Sequence, residues 1–162
     1  MKKAILAALL CAALLSACGS PKSSKAESGV SSSSGSSSLL AQKDGVIEIK
    51  EKLFIAQTNE IYLNWQDYLG STIRYEGIFD KLTYGDPPVD YYYVIRYGPG
   101  CCAYDSNAGF EVTWDGEIPE VNAWVEAEGV LERYEMDGME YIRLKLSSLT
   151  ELKKRGEEYV YQ

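Results

Sequence analysis

From Trp124 to Leu149 apolar and charged residues alternate along the chain, and the alternation breaks once, at Asp137-Gly138. In 124–134, WVEAEGVLERY, Val125, Ala127 and Leu131 fall on one side and Glu126, Glu128 and Glu132 on the other. In 139–149, MEYIRLKLSSL, Ile142, Leu144 and Leu146 oppose Arg143 and Lys145. A period of two is the mark of a strand with one buried face. Asp-Gly between two such runs suits the positive φ angles of a tight primed turn, so a long hairpin is expected.

Three further runs read as strands. TIRYEGIFDKL (72–82) puts Ile73, Tyr75 and Phe79 on one face against Arg74, Glu76 and Asp80. YYYVIRY (91–97) and GFEVTW (109–114) are rich in aromatic and β-branched residues, which suit a pleated surface. Five strands joined by short connections form a sandwich or a small barrel. Gly77 and Gly129 interrupt the middles of two long strands, as glycines do at bulges and barrel corners. The expected fold is therefore mainly β, a small five-stranded OB-fold-like barrel. EKLFIAQTNEIYLN (51–64) spaces Leu53, Phe54, Gln57, Ile61 and Tyr62 as a helix does, and one N-terminal helix packed on the barrel is expected, with a strand as the alternative. The link DGEIPEVNA (115–123) is too short for a helix of its own.

The N-terminus gives an address. Lys2 and Lys3 precede an apolar run, Ala4–Leu15, that is too short to span a bilayer as a helix. It ends in Leu15-Ser16-Ala17-Cys18, which resembles the bacterial lipobox and implies cleavage after residue 17 with lipidation of Cys18. Residues 18–45 are dominated by serine and glycine, and read as a flexible tether with a mean reach of about 30 Å. The expected organisation is a signal peptide at 1–17, a lipidated tether at 18–45 and an extracytoplasmic domain at 46–162. The lipids would hold that domain to the outer face of the cell membrane, or to its periplasmic side in a two-membrane cell.

The formal net charge is −8, and loss of the leader removes two more cations, Lys2 and Lys3. So acidic a chain lacks the basic surface that nucleic-acid phosphates require. Histidine is absent, and neither a GxSxG elbow nor a phosphate-binding glycine loop occurs. Hydrolytic and nucleotide chemistry are therefore not expected, and thiol redox chemistry is the one enzymatic option left open. Tyr91, Tyr92 and Tyr93 stand in a row, so period two sends Tyr92 to one face and its neighbours to the other. They serve either as core filler or as part of a binding platform. The loop around 84–90, with Pro87 and Pro88, occupies the place that borders the ligand face in OB barrels.

Cys101 and Cys102 are adjacent in the segment GCCAYD, and with Cys11 inside the leader and Cys18 acylated they have no other partner. Three uses remain open. They can pack as thiols beside the barrel mouth, or close a strained vicinal disulfide with redox activity. They can also bind zinc or copper(I) with Asp105, which needs a further acid such as Asp86 or Asp90 to close a tetrahedron. CCAYD, the later WVEAEGVLE and the closing EYVY resemble the DUF1980 family of bacterial permease subunits. The resemblance spans most of residues 47–161. It rests on Cys101, Cys102 and Asp105, on Trp124, Val125 and Gly129, and on Tyr159, Val160 and Tyr161. Tyr104 departs from the alanine that the family carries before the aspartate, and a lipid anchor replaces the membrane segments of longer members. The resemblance implies an extracytoplasmic accessory subunit, partnered with an integral-membrane permease. Its candidate site is Cys101, Cys102, Tyr104 and Asp105.

Overall fold

The computed structural model describes residues 40–101 and 103–161, without the side chains of residues 103–105. Cys18, the leader and the tether up to residue 39 lie outside the described residues. In chain order the elements are β1 (Gln42–Lys43), β2 (Val46–Glu48), a 3-10 turn (Glu51–Leu53), α1 (Phe54–Leu63) and α2 (Trp65–Tyr68). The long strands follow as β3 (Thr72–Tyr84), β4 (Val89–Gly100), β5 (Ala103–Thr113), β6 (Trp124–Met136) and β7 (Met139–Glu151). The fold is mainly β, as the alternation requires. Among the described residues no helix is long and apolar enough to cross a membrane.

All seven strands belong to one sheet in the order β1-β2-β3-β4-β5-β7-β6, and an extra β3–β6 pairing closes a ring through the five long strands. β3 makes that closure by changing partners along its length. Thr72–Ile78 pairs with β6, whereas Ile78–Tyr84 pairs with β4. Gly77 sits at the exchange, where a Cβ would stand 2.8 Å from the Ile95 carbonyl oxygen. Gly129 sits at a register shift between β6 and β7, and a Cβ there would meet the Lys145 carbonyl at 2.6 Å. Both glycines mark close backbone approaches, as their mid-strand positions suggested. Asp137 and Gly138, with φ of 54° and 77°, form the expected turn between β6 and β7. The ring is thinnest between β5 and β7, which pair in parallel through Val112–Leu144 and Thr113–Lys145.

The strands differ from the sequence reading in two places. The segment 42–48 is a hairpin turned at Asp44-Gly45, with φ of 54° and 80°, and Leu40 is buried, so packed structure starts within the stretch assigned to the tether. The strands flanking that turn are only two and three residues long, too short for alternation to register. β4 and β5 also run well past 97 and begin well before 109. Gly98, Pro99, Ser106 and Asn107 read as loop residues. They are strand because Tyr97 pairs with Asn107 and Gly98 with Ser106, and an irregularity between Gly98 and Gly100 accommodates Pro99.

The inner face holds the residues that alternation placed there, with Ile73, Phe79, Val125, Ala127 and Leu144 fully enclosed. The helix expected over 51–64 forms as the 3-10 turn and α1, and it buries Phe54, Gln57, Thr58 and Ile61; Leu53 and Tyr62 are exposed instead. Phe54 packs edge-on to Tyr75, and Tyr75 to Phe110, each pair at 5.8 Å. The enclosed Tyr75 hydroxyl donates to the Val94 carbonyl at 2.9 Å and accepts from the Phe110 amide at 3.2 Å, so its polar atom is satisfied in the core.

A second cluster, Ile78, Ile95 and Trp124, is packed by Leu152. The chain end then straps onto β4. The Tyr97 amide donates to the Glu158 carbonyl and the Val160 amide to the Tyr97 carbonyl, both at 2.8 Å. Val160 is buried, and Tyr159 packs on Tyr97 at 5.4 Å. Under the strap the buried Arg96 guanidinium donates to the Glu76 carbonyl, the Glu157 carbonyl and Glu51, and lies over the Phe54 and Trp124 rings. Of the residues that carry the family resemblance, Trp124, Gly129, Tyr159 and Val160 thus hold the framework together.

Candidate functional site

The paired-cysteine segment lies at the tip of the β4–β5 hairpin, where Gly100 pairs with Ala103. Cys101 is exposed, which removes the packing role for that thiol. Cys102 and the side chains of Tyr104 and Asp105 lie outside the described residues. Asp90 is excluded as a further ligand to this segment by the length of β4. It starts the strand whose other end reaches Gly100, and a strand of ten steps spans about 30 Å. Asp86 lies in the turn before that same far end. Asp90 is instead engaged by the Thr83 hydroxyl at 2.5 Å and by Lys81 at 3.3 Å, which lower its pKa from the ordinary aspartate value, Thr83 most. Among the described residues no three Cys, Asp or Glu side chains come together as a metal site.

The end of the molecule that holds the β3–β4 and β6–β7 turns carries a different arrangement, a groove of about 420 Å³. Its walls come from every part of the ring. α1 and α2 supply Tyr62 and Trp65, the β3–β4 hairpin supplies Tyr84 and Tyr93, and β5 supplies Glu111. The β6–β7 hairpin supplies Tyr134, Met136, Glu140, Tyr141 and Ile142. The two hairpins touch where the Tyr91 hydroxyl meets the Met136 sulfur at 3.5 Å. The volume falls within the range of small-molecule sites, whose walls are mostly apolar and aromatic with a few placed polar groups.

Four of these rings, Tyr62, Tyr84, Tyr134 and Tyr141, are held by stacking. Tyr62 stacks on Phe110 at 5.1 Å, and its hydroxyl donates to the Gly109 carbonyl at 2.8 Å. Tyr84 stacks on Tyr91 at 4.5 Å, and Tyr134 on Tyr141 at 5.5 Å. The Tyr134 hydroxyl donates to Glu111 at 2.6 Å, and the Arg143 guanidinium lies over the Tyr134 ring, 4.5 Å from its centroid. Arg143 is itself paired with Glu132 at 2.7 Å, and Glu140 is paired with Arg133. Burial, followed by the charge of Glu111, pushes the Tyr62 hydroxyl up to about 12. Burial and then the Glu111 hydrogen bond raise Tyr134 further, and burial and then Glu111 raise Tyr93. These phenols are therefore neutral at physiological pH.

The tyrosine run divides as period two demands. Tyr92 stacks on Phe79 at 5.6 Å and packs on the main core, while Tyr93 faces the groove and Tyr91 supports it. Tyr92 is core filler, and its neighbours belong to the groove. The sequence reading had no means of finding Tyr62, Glu111 and Tyr134 as a group, since they meet only through the ring. Tyr93 and the 84–90 loop were its two partial signals.

No curated protein and no solved structure gave a match to this chain. The family described as the DUF1980 C-terminal domain matches residues 26–162, a span that takes in both the cysteine tip and every residue of the groove. The chain belongs to the DUF1980 C-terminal domain family.

Proposed function

We propose that the chain is a lipid-anchored extracytoplasmic binding module that serves as an accessory subunit to a membrane permease. Cys18 carries the lipid, the serine-rich tether gives the domain its reach, and an OB-fold-like barrel presents the ligand site. The five-strand ring with a parallel β5–β7 seam supports the barrel reading. OB barrels use the face of their second and third strands and the loops of their first and last hairpins for binding. Here β4 and β5 and the β3–β4 and β6–β7 hairpins wall the groove. That tyrosine-walled groove is the observation that carries the proposal.

The test is site-specific photo-crosslinking in the native host from Leu82 and Met139, exposed residues near the turns of the β3–β4 and β6–β7 hairpins. The wild-type chain should fractionate with membranes and crosslink to an integral-membrane transporter. Cys18→Ala should release it and abolish the adduct. A chain that stays membrane-bound as Cys18→Ala counts against the anchor, and a wild-type chain with no transporter adduct counts against the accessory role.

A second reading is favoured by the exposure of Cys101 at a hairpin tip. In this reading Cys101 meets a redox partner in concert with Cys102, or the two bind zinc or copper(I) with Asp105. Intact-mass measurement before and after reduction separates these uses. A two-hydrogen mass gain supports the disulfide and a bound metal supports the metal site, while neither change removes both.

A further inference from the structure

We infer that the groove receives a small organic cation, its ammonium group seated against the Tyr62 and Tyr93 rings beside Glu111, to which Tyr134 donates; this rests on the binding-module reading. The polar content of the walls is one-sided. They include two carboxylates and no lysine or arginine, so an anionic ligand would meet repulsion without compensation. Glu140 is neutralised by Arg133. Glu111 is half-buried, and among the described residues no lysine or arginine lies within ion-pair distance of it. Arg143, the cation on the neighbouring surface, is committed to Glu132. The groove thus contains one carboxylate, Glu111, that makes no direct ion pair among the described residues, set beside aromatic rings that attract positive charge.

The hydroxyl groups sharpen the choice between a cation and a neutral sugar. A sugar needs free donors and acceptors around its ring. In the groove the Tyr62 hydroxyl is spent on the Gly109 carbonyl, the Tyr134 hydroxyl on Glu111 and the Tyr141 hydroxyl on the Met139 sulfur. Three of the five tyrosine hydroxyls of the groove are thus engaged within the protein, which leaves a sugar few polar partners there. Neutral phenols beside one carboxylate are the surroundings that quaternary and primary ammonium groups favour. The volume of about 420 Å³ suits a free solute.

The test is calorimetric titration of the full lipidated chain in dodecyl maltoside micelles. Choline is the probe, and 3,3-dimethylbutan-1-ol, its uncharged isostere, is the control. Choline should bind at least about tenfold more tightly than the isostere, and Glu111→Gln should weaken choline by about tenfold. Equal binding of choline and the isostere by the wild-type chain overturns the inference, whatever becomes of the variant. Binding of chitotetraose in place of choline overturns it too, yet leaves a binding module standing. Binding to phosphatidylcholine vesicles without binding to free choline overturns the free-solute assignment in favour of a headgroup. The transporter crosslink from Leu82 and Met139 does not depend on any of these titrations, so the two proposals fail separately.

Discussion

β4 ends in two places of opposite character. Near its start, Tyr93 enters a groove in which four rings are stacked and the Glu111 carboxylate is hydrogen-bonded. At its finish, Gly100 turns into the paired cysteines at an exposed hairpin tip. The tip is a motif that any reader of the sequence stops at, whereas the groove has no motif. Conspicuous residues and assembled geometry are separate things. A short run can advertise chemistry without supporting it, and a supported cavity can draw on residues from 62 to 142 that share no local pattern.

The two regions should respond differently to substitution. Phe110 is fully buried and is the floor under Tyr62. Phe110→Ala should cost about 3–5 kcal/mol in denaturant unfolding and erase the groove; a loss under about 1 kcal/mol would mean that the groove is not part of the core. Arg96 lies on β4 between the two regions, with a side chain only 3% exposed. Arg96→Ala should cost about 2–3 kcal/mol and free the C-terminal strap, seen as faster amide exchange at Tyr97 and Val160. Tyr134→Phe leaves the ring but removes the hydrogen bond to Glu111, and should cost about 1 kcal/mol in the same unfolding measurement.

Glu51 adds a pH test on the same boundary. The Glu157 amide, and after it Arg96, hold this carboxyl below its ordinary value of 4.5. A depressed carboxylate contributes stability that is complete above its unfolded pKa and is lost as pH falls through the folded one. Wild type should therefore melt above Glu51→Gln at neutral pH, with the gap closing as the pH is taken below 4.5. A gap that widens in acid would reverse the assignment. The smallest effect belongs to the tip, where Cys101→Ser should change stability by no more than about 0.5 kcal/mol.

Much of the framework was legible in the chain. Alternation located Val125, Ala127, Leu131 and Leu144 on the inner face, and Asp137-Gly138 and Gly129 announced a turn and a bulge through backbone geometry alone. These signals are local, so a sequence displays them. The β1–β2 hairpin was missed although Asp44-Gly45 repeats the same turn chemistry, because its strands are too short to alternate. The extension of β4 and β5 was missed because Gly98, Pro99, Ser106 and Asn107 resist strand structure until a facing strand pairs with them. The groove needs the whole ring. Tyr62, Glu111 and Tyr134 come from three elements, and only pairing between distant strands sets them side by side.

The seams of that ring bear on how the protein is made. The β3–β4–β5 meander and the β6–β7 hairpin join near neighbours and can form early during folding. The β3–β6 seam must bring Thr72 to Val130, and the β5–β7 seam Val112 to Leu144. Such distant contacts are slow to gain because loop entropy is lost before they are rewarded. A newly made chain can therefore have most of its strands and no groove, since the walls from β5 and from β6–β7 meet only when the last seam closes. Ligand capture would then report the final step of assembly, and a chain still open at that seam would present unpaired strand edges to whatever surrounds it.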